Sequence, residues 1–174
     1  MFVPRMAEEG LSVLAVKTDT GEICGAFLNE DYCAPDPPEF DDFLATVDGD
    51  WVPCLTMIGE LEEKFDADWN VPKEKPPGKW FHMWMGAVAP EGRGNGVARN
   101  LARLSGELAK SKGYLCAFGE CTGGIATTIM TKYTGADVEA FIDYATWNGC
   151  ETADILRALP SQGHPGMSLT VIRF

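Results

Sequence analysis

Val88-Ala89-Pro90-Glu91-Gly92-Arg93-Gly94-Asn95-Gly96-Val97-Ala98 joins an apolar run to an amphipathic one, with three glycines inside five residues. A helix N-terminus carries bare N–H groups and about half a positive charge, and glycine lets an anion come close to them. A strand, this loop and a helix therefore read as an anion cradle of the kind that holds a phosphate. Two common phosphate loops fail against it. The P-loop needs Gly-Lys followed by Ser or Thr, and the dinucleotide fingerprint needs G-x-G-x-x-G, which Gly94-Asn95-Gly96-Val97-Ala98-Arg99 does not complete.

Working outward, KWFHMWMGAVA from Lys79 is short, aromatic and apolar, as a buried strand is. On the other side Val97, Leu101, Leu104 and Leu108 predict one face of a helix that stops at Gly113, after Lys110 and Lys112. YLCAFGE then reads as a strand, ATTIMTKY as a short helix ending at Gly135, DVEAFIDYATW as a strand, 152–159 as a helical turn or two, and MSLTVIRF as the last strand. Upstream, apolar segments 11–17 and 22–29 flank Thr18-Asp19-Thr20-Gly21 and predict a hairpin. CAPDPPEF and NVPKEKPPG are proline-rich loops. Between them Phe40, Phe43, Leu44 and Val47, then Leu55, Ile58, Leu61 and Phe65, predict two helices. The sum is one α/β domain over residues 1–174, a mixed sheet covered by helices.

Composition closes several alternatives. With 174 residues, 45% of them hydrophobic and 10% aromatic, the chain has the core of a single domain and is not disordered. Its longest weakly polar stretch, Trp80 to Pro90, contains His82 and is about half of the ~20 residues a membrane span needs. The opening MFVPRMAEEG lacks the apolar region of a secretory leader, so a cytoplasmic protein with no membrane contact is expected. Six cysteines (24, 33, 54, 116, 121, 150) show no C-x-x-C and no histidine pair at zinc spacing, which predicts reduced thiols and no metal.

Lys and Arg number 14 against 26 Asp and Glu, a net charge of -12 that argues against nucleic acid. Thirteen of the acidic residues lie between Glu30 and Asp68 with Lys64 as the only cation there. Arg93 to Lys112 holds Arg93, Arg99, Arg103, Lys110 and Lys112 against Glu107. Such separation suits an anion at the basic stretch and a cation at the acidic one, or a solvated acidic face that aids solubility.

Arg93-Gly94-Asn95-Gly96-Val97-Ala98 resembles the acetyl-CoA motif [RQ]-x-x-G-x-[GA] of the GNAT family of N-acetyltransferases. From residue 11 to the C-terminus the elements follow the family order. The resemblance implies a GNAT-like acyl-CoA N-acyltransferase fold, with the acidic segment 30–78 as a helical insertion between the family's third and fourth strands. The pattern is most similar to the arylalkylamine and dopamine N-acetyltransferase branch. It implies acetyl-CoA as cosubstrate, held by Arg93, Gly94, Asn95, Gly96, Val97 and Ala98 at the diphosphate and by Gly86, Ala87 and Val88 along the pantetheine. Because the family begins with one strand and two helices ahead of the hairpin, the chain is expected to lack them, and to dimerise through the apolar surface so exposed.

His82 falls where the branch carries the first of two relay histidines, with Trp84 on the second. By a two-residue period His82, Trp84 and Gly86 would share one strand face, aiming His82 at the thioester as base toward an ammonium substrate. Thr131 stands where many members have an acidic tyrosine. Thr127 supplies a hydroxyl at the position of a serine in the insect branch, and is the second catalytic candidate. The expected function is transfer of acetyl from acetyl-CoA to a small primary amine, an arylalkylamine or a polyamine, by direct attack in a ternary complex. The rivals are a catalytically idle fold that binds CoA as an interaction module, and a protein acetyltransferase.

Overall fold

The central run predicted as a strand forms one, Trp80–Val88, and everything that positions the site is arranged about it. The computed structural model describes residues 2–35, 46–47, 49–74 and 76–174. In chain order we name α1 (Phe2–Glu8), β1 (Val13–Val16), β2 (Ile23–Asp31), α2 (Val52–Asp68), β3 (Trp80–Val88), α3 (Val97–Ser111), β4 (Cys116–Cys121), α4 (Gly124–Thr134), β5 (Asp137–Asp143) and β6 (Gly166–Arg173); a 3-10 helix spans Ala153–Gln162. The predicted helix around Phe40 to Val47 lies largely outside the described residues. Residues ahead of the hairpin, where no element was expected, contain α1.

Six strands form one sheet in the order β1-β2-β3-β4-β6-β5. Among the described residues only β3 and β4 are parallel, as a strand–helix–strand connection through α3 requires. Each sheet face carries its own core. One gathers Met57, Leu61 and Phe65 of α2 with Trp80, Phe118, Leu169 and Val171. The other gathers Phe81, Met83, Ala117 and Cys121 with Ala102 and Ala109 of α3 and Met130 of α4. The mixed α/β fold expected from the element order is therefore present.

Two helices sit differently from their predicted stripes. In α3 the buried residues are Leu101, Ala102, Ser105, Gly106 and Ala109, while Leu104 is 40% exposed. Small side chains bring this helix close to the sheet: a Cβ on Gly25 of β2 would lie 2.9 Å from Val97 Cγ1. Ser105 Oγ accepts from the buried Asn29 Nδ2 at 3.0 Å. In α2 the buried series is Pro53, Met57, Leu61 and Phe65, one helix row away from Leu55 and Ile58.

The pairing of β2 with β3 contains an irregularity that matters for the site. Leu28 faces Met85 and Asn29 faces Met83, leaving Trp84 as an extra residue on β3. This is a β-bulge, and it reverses the alternation of everything after it. Phe27 faces Gly86, and a Cβ on Gly86 would meet the Phe27 ring at 3.0 Å, on the α3 side. His82 faces Glu30 and belongs to the α2 side. The expectation that His82, Trp84 and Gly86 share a face is thus corrected: His82 and Gly86 point to opposite sides of the sheet.

Candidate active site

The β3–β4 ladder runs from Trp80 with Cys116 to His82 with Phe118 and ends there. Beyond it, among the described residues, β3 continues to Val88 paired only with β2, and β4 continues to Cys121 paired only with β6. Two strand edges therefore part from each other, each with main-chain groups on the side of the gap. Met85, Gly86 and Ala87 are exposed along this edge, and Val88 is half-buried.

At the far end of β3 stands the glycine loop. Pro90–Gly92 forms a 3-10 turn, Gly94 has φ 77° and Gly96, the N-cap of α3, has φ 75°. Left-handed backbone at both positions is accessible to glycine with little strain. The loop ties itself down through Gly92 N to Ala89 O at 2.9 Å and Arg93 N to Pro90 O at 3.2 Å. Among the described residues, no hydrogen bond of the protein uses the amides of Gly94, Asn95, Gly96, Val97, Ala98 or Arg99. No heavy atom beyond its chain neighbours stands within 4 Å of where a Gly94 Cβ would lie. A run of bare amides at a helix start is a fit for a diphosphate.

The basic stretch does not form a single patch. Arg93 lies in the loop, its Nε donating to Val88 O at 3.4 Å, and Arg99 curls back over Gly96 and caps the Tyr133 ring at 5.3 Å. Arg103 pairs with Glu107. Lys110 and Lys112 sit at the other end of a helix roughly 20 Å long. Arg99 and Tyr133 were not singled out in the sequence as neighbours of the loop, because α4 brings the ring there from a distant segment.

His82 is 2% exposed and bound at both ring nitrogens. Nδ1 lies 2.9 Å from Glu30 Oε1 and Nε2 lies 2.9 Å from Glu120 Oε2. The ring stacks on Phe118 at 4.8 Å and meets the edge of Tyr32 at 5.9 Å. Burial alone would lower the imidazolium pKa, but Glu120 and then Glu30 outweigh it, and His82 is pushed up to about 10. It stands as a cation between two carboxylates. Glu30 Oε2 is paired in turn with Arg5 of α1. Glu62 of α2 completes the group: one ligand atom each from Glu62, His82 and Glu120 lies within 4.8 Å of the others. That spacing suits a cation, although the Nε2 position is already engaged by Glu120.

Glu30, Glu62 and Glu120 were missed as neighbours of the histidine. Glu120 had a signal, as the one charge in the otherwise apolar or small CAFGEC strand. Glu30 had another, since a regular hairpin register opposes the end of β2 to the start of β3.

Thr127 lies in α4, half-buried, its hydroxyl 3.2 Å from Gly123 O, which accepts from it, and 3.2 Å from the Ser168 hydroxyl. Beside it Cys121 Sγ and Thr170 Oγ1 are 3.6 Å apart. Cys121 belongs to the α3 and α4 side of the sheet. His82 and Thr127 therefore approach the β3–β4 parting from opposite faces. All six cysteines are free. Among the described residues no helix is long and apolar enough to cross a membrane.

No family model matches the chain, and no curated protein matches it in sequence. Solved structures do. The C-terminal condensation domain of Ebony, in complex with beta-alanyl-dopamine, superposes with a TM-score of 0.80 at 12% identity, over 99% of this chain and 76% of that one. Arylalkylamine N-acetyltransferase 2 from Aedes aegypti gives 0.75 at 18%, over 98% and 76%. The Drosophila melanogaster polyamine N-acetyltransferase, which catalyses formation of N-acetylagmatine, gives 0.72 at 16%, over 99% and 79%. The fold of this chain is that of the GNAT acetyltransferases.

Proposed function

We propose that this protein is an N-acetyltransferase that moves the acetyl group of acetyl-CoA onto a small primary amine, within a ternary complex. The observation that carries the reading is the run of bare amides from Gly94 to Arg99, opening directly off the unpaired edge of β3. Its support from comparison is that structural neighbours acetylate arylalkylamines and polyamines.

Acetyl-CoA supplies an activated acetyl group; the chain does the rest. Arg93 and the amides of Gly94, Asn95, Gly96, Val97 and Ala98 hold the diphosphate, and Arg99 adds a second cation beside them. Gly86, Ala87 and Val88 offer their edge to the pantetheine as an added strand would, and their N–H groups polarise the acyl carbonyl. We assign Thr127, backed by Ser168, to hydrogen-bond the departing sulfur. His82 serves on the amine side, organising carboxylates there. No acyl-enzyme is required.

Calorimetry with CoA, followed by thiol release across a panel of primary amines, tests this. CoA uptake with thiol release supports the transferase. Uptake without release from any amine favours the idle binding module instead, and no uptake removes both. We further propose a homodimer, on the exposed Leu14, Val16 and Ile23 around edge strand β1, which are 55%, 55% and 61% exposed. Light scattering that gave a clean monomer would remove it. We take the cytoplasm as the compartment, in keeping with six free thiols.

A further inference from the structure

We propose that Glu120 is the group that takes the proton from the cationic amine, and that His82 is its positioning residue; this rests on the acetyltransferase reading above. Glu30 has both oxygens committed, Oε1 to His82 and Oε2 to Arg5. Glu120 commits only Oε2, to His82 Nε2. Its Oε1 is buried with no hydrogen-bond partner among the described residues, on a side chain 4% exposed. A carboxylate oxygen removed from water with its lone pairs open calls for a donor, and an ammonium is the strongest donor that a small amine offers.

Position favours the same residue. Glu120 is two residues beyond Phe118, where pairing with β3 stops, and so lies at the parting of the strands. It shares the α2 face with His82. Glu62 stands across from it within 4.8 Å, adding a second carboxylate for a monocation, while Phe118 and Tyr32 form aromatic walls. His82 cannot do this work itself, because each ring nitrogen is 2.9 Å from a carboxylate oxygen. It instead fixes the Glu120 rotamer so that Oε1 is left over. The charged and titratable groups around the pair are Arg5 of α1, Glu30 of β2, Glu62 and Asp66 of α2, and Tyr32 between them.

In the step, one N–H proton of the ammonium passes to Glu120 Oε1, and the nitrogen keeps the electron pair. That pair forms the C–N bond at the acyl carbon as the C–S bond breaks and its electrons go to sulfur. The second ammonium proton leaves with the thiolate as thiol, and Glu120 returns its proton to water. One ammonium and one thioester thus give one amide, one thiol and one proton.

The test compares wild type with Glu120→Gln and His82→Gln. It measures CoA affinity, the affinity of agmatine and of tyramine without CoA, kcat, and the pH profile of kcat/KM. For Glu120→Gln we expect unchanged CoA affinity, amine affinity lower by about tenfold, kcat lower by about a hundredfold or more, and loss of the acidic limb of the profile. His82→Gln should keep that limb, displaced, with a smaller loss. If Glu120→Gln does not fold by circular dichroism, Glu120→Asp is the substitute, expected to retain the limb at reduced kcat. Wild-type kcat, profile and amine affinity in Glu120→Gln would overturn the inference. So would zinc or manganese binding that is lost in both Gln variants, which would make the cluster a metal site. A wild type that binds CoA yet releases no thiol sinks the acetyltransferase reading, and amine affinity without CoA then still decides the fate of Glu120.

Discussion

The glycine loop after β3 and the imidazole cluster at its start lie on one strand, separated by roughly 20 Å of extended chain, and they solve opposite problems. The loop keeps hydrogen-bond donors bare in an exposed position, which costs little because water satisfies them until an anion arrives. The cluster keeps acceptors and a cation buried, where water cannot pair them and, among the described residues, the protein leaves Glu120 Oε1 open. Consequently the loop is made by one contiguous stretch, whereas the cluster draws Arg5, Glu30, Glu62, His82 and Glu120 from five elements. A binding surface for a common group can be local; a site that handles a proton has to be assembled.

The sharpest way to break this contrast is to remove the cluster's cation. His82→Ala leaves Glu30 and Glu120 facing each other in a buried space, and we expect a loss of about 3–5 kcal/mol in urea denaturation. Adding Glu120→Gln to that variant should recover part of the loss, since the facing charge is gone. A smaller effect comes from pH. The His82 pKa is raised in the folded protein, so its contribution is fully present below the unfolded value of about 6.5 and is lost as pH rises through about 10. Melting temperature measured from pH 6 to 10.5 should fall along that window in wild type, and a flat curve would deny the imidazolium.

On the loop side, Gly96→Val puts a β-branched residue at φ 75° and crowds the cradle. We expect CoA affinity to fall about a hundredfold, near 2.7 kcal/mol, with amine affinity at the cluster untouched. Equal loss at both places would mean that loop and cluster are not separable. Least disruptive is Arg99→Ala, which removes the cation over Tyr133 beside the loop. Calorimetry should register a two- to fivefold weakening of CoA, in keeping with about 0.2–1 kcal/mol for an exposed charge pair between Arg99 and the diphosphate.

The same contrast explains what could be read from the amino acids. Strand, glycine loop and helix were legible because glycine spacing, apolar runs and cap residues act over a few positions. The apolar stripe of α3 was legible only to within one row: Leu104 is exposed because Ser105, Gly106 and Ala109 let the backbone sit closer than leucines would. Nothing local tells a helix to prefer its small side. The partners of His82 were hidden for a stronger reason, since Glu30 and Glu62 belong to a stretch whose many charges read as a solvated or steering face. The fold turns these two inward. The orientation of His82 was misjudged because strict alternation was assumed along β3, and no propensity marks Trp84 as the extra residue.

That one extra residue makes the spacing between His82 and Gly86 behave like a reading frame. Replacing Trp84 alters one side chain, and deleting it would close the bulge with Met85, Gly86 and Val88 still opposite Leu28, Phe27 and Gly25, whereas one further residue taken into the ladder after Met85 would swing Gly86 toward α2 and Val88 away from the loop it supports. Any engineered or natural variant that keeps both ends of this strand at work must therefore preserve a count as well as a composition, and a residue added after Met85 is where tolerance should be lowest.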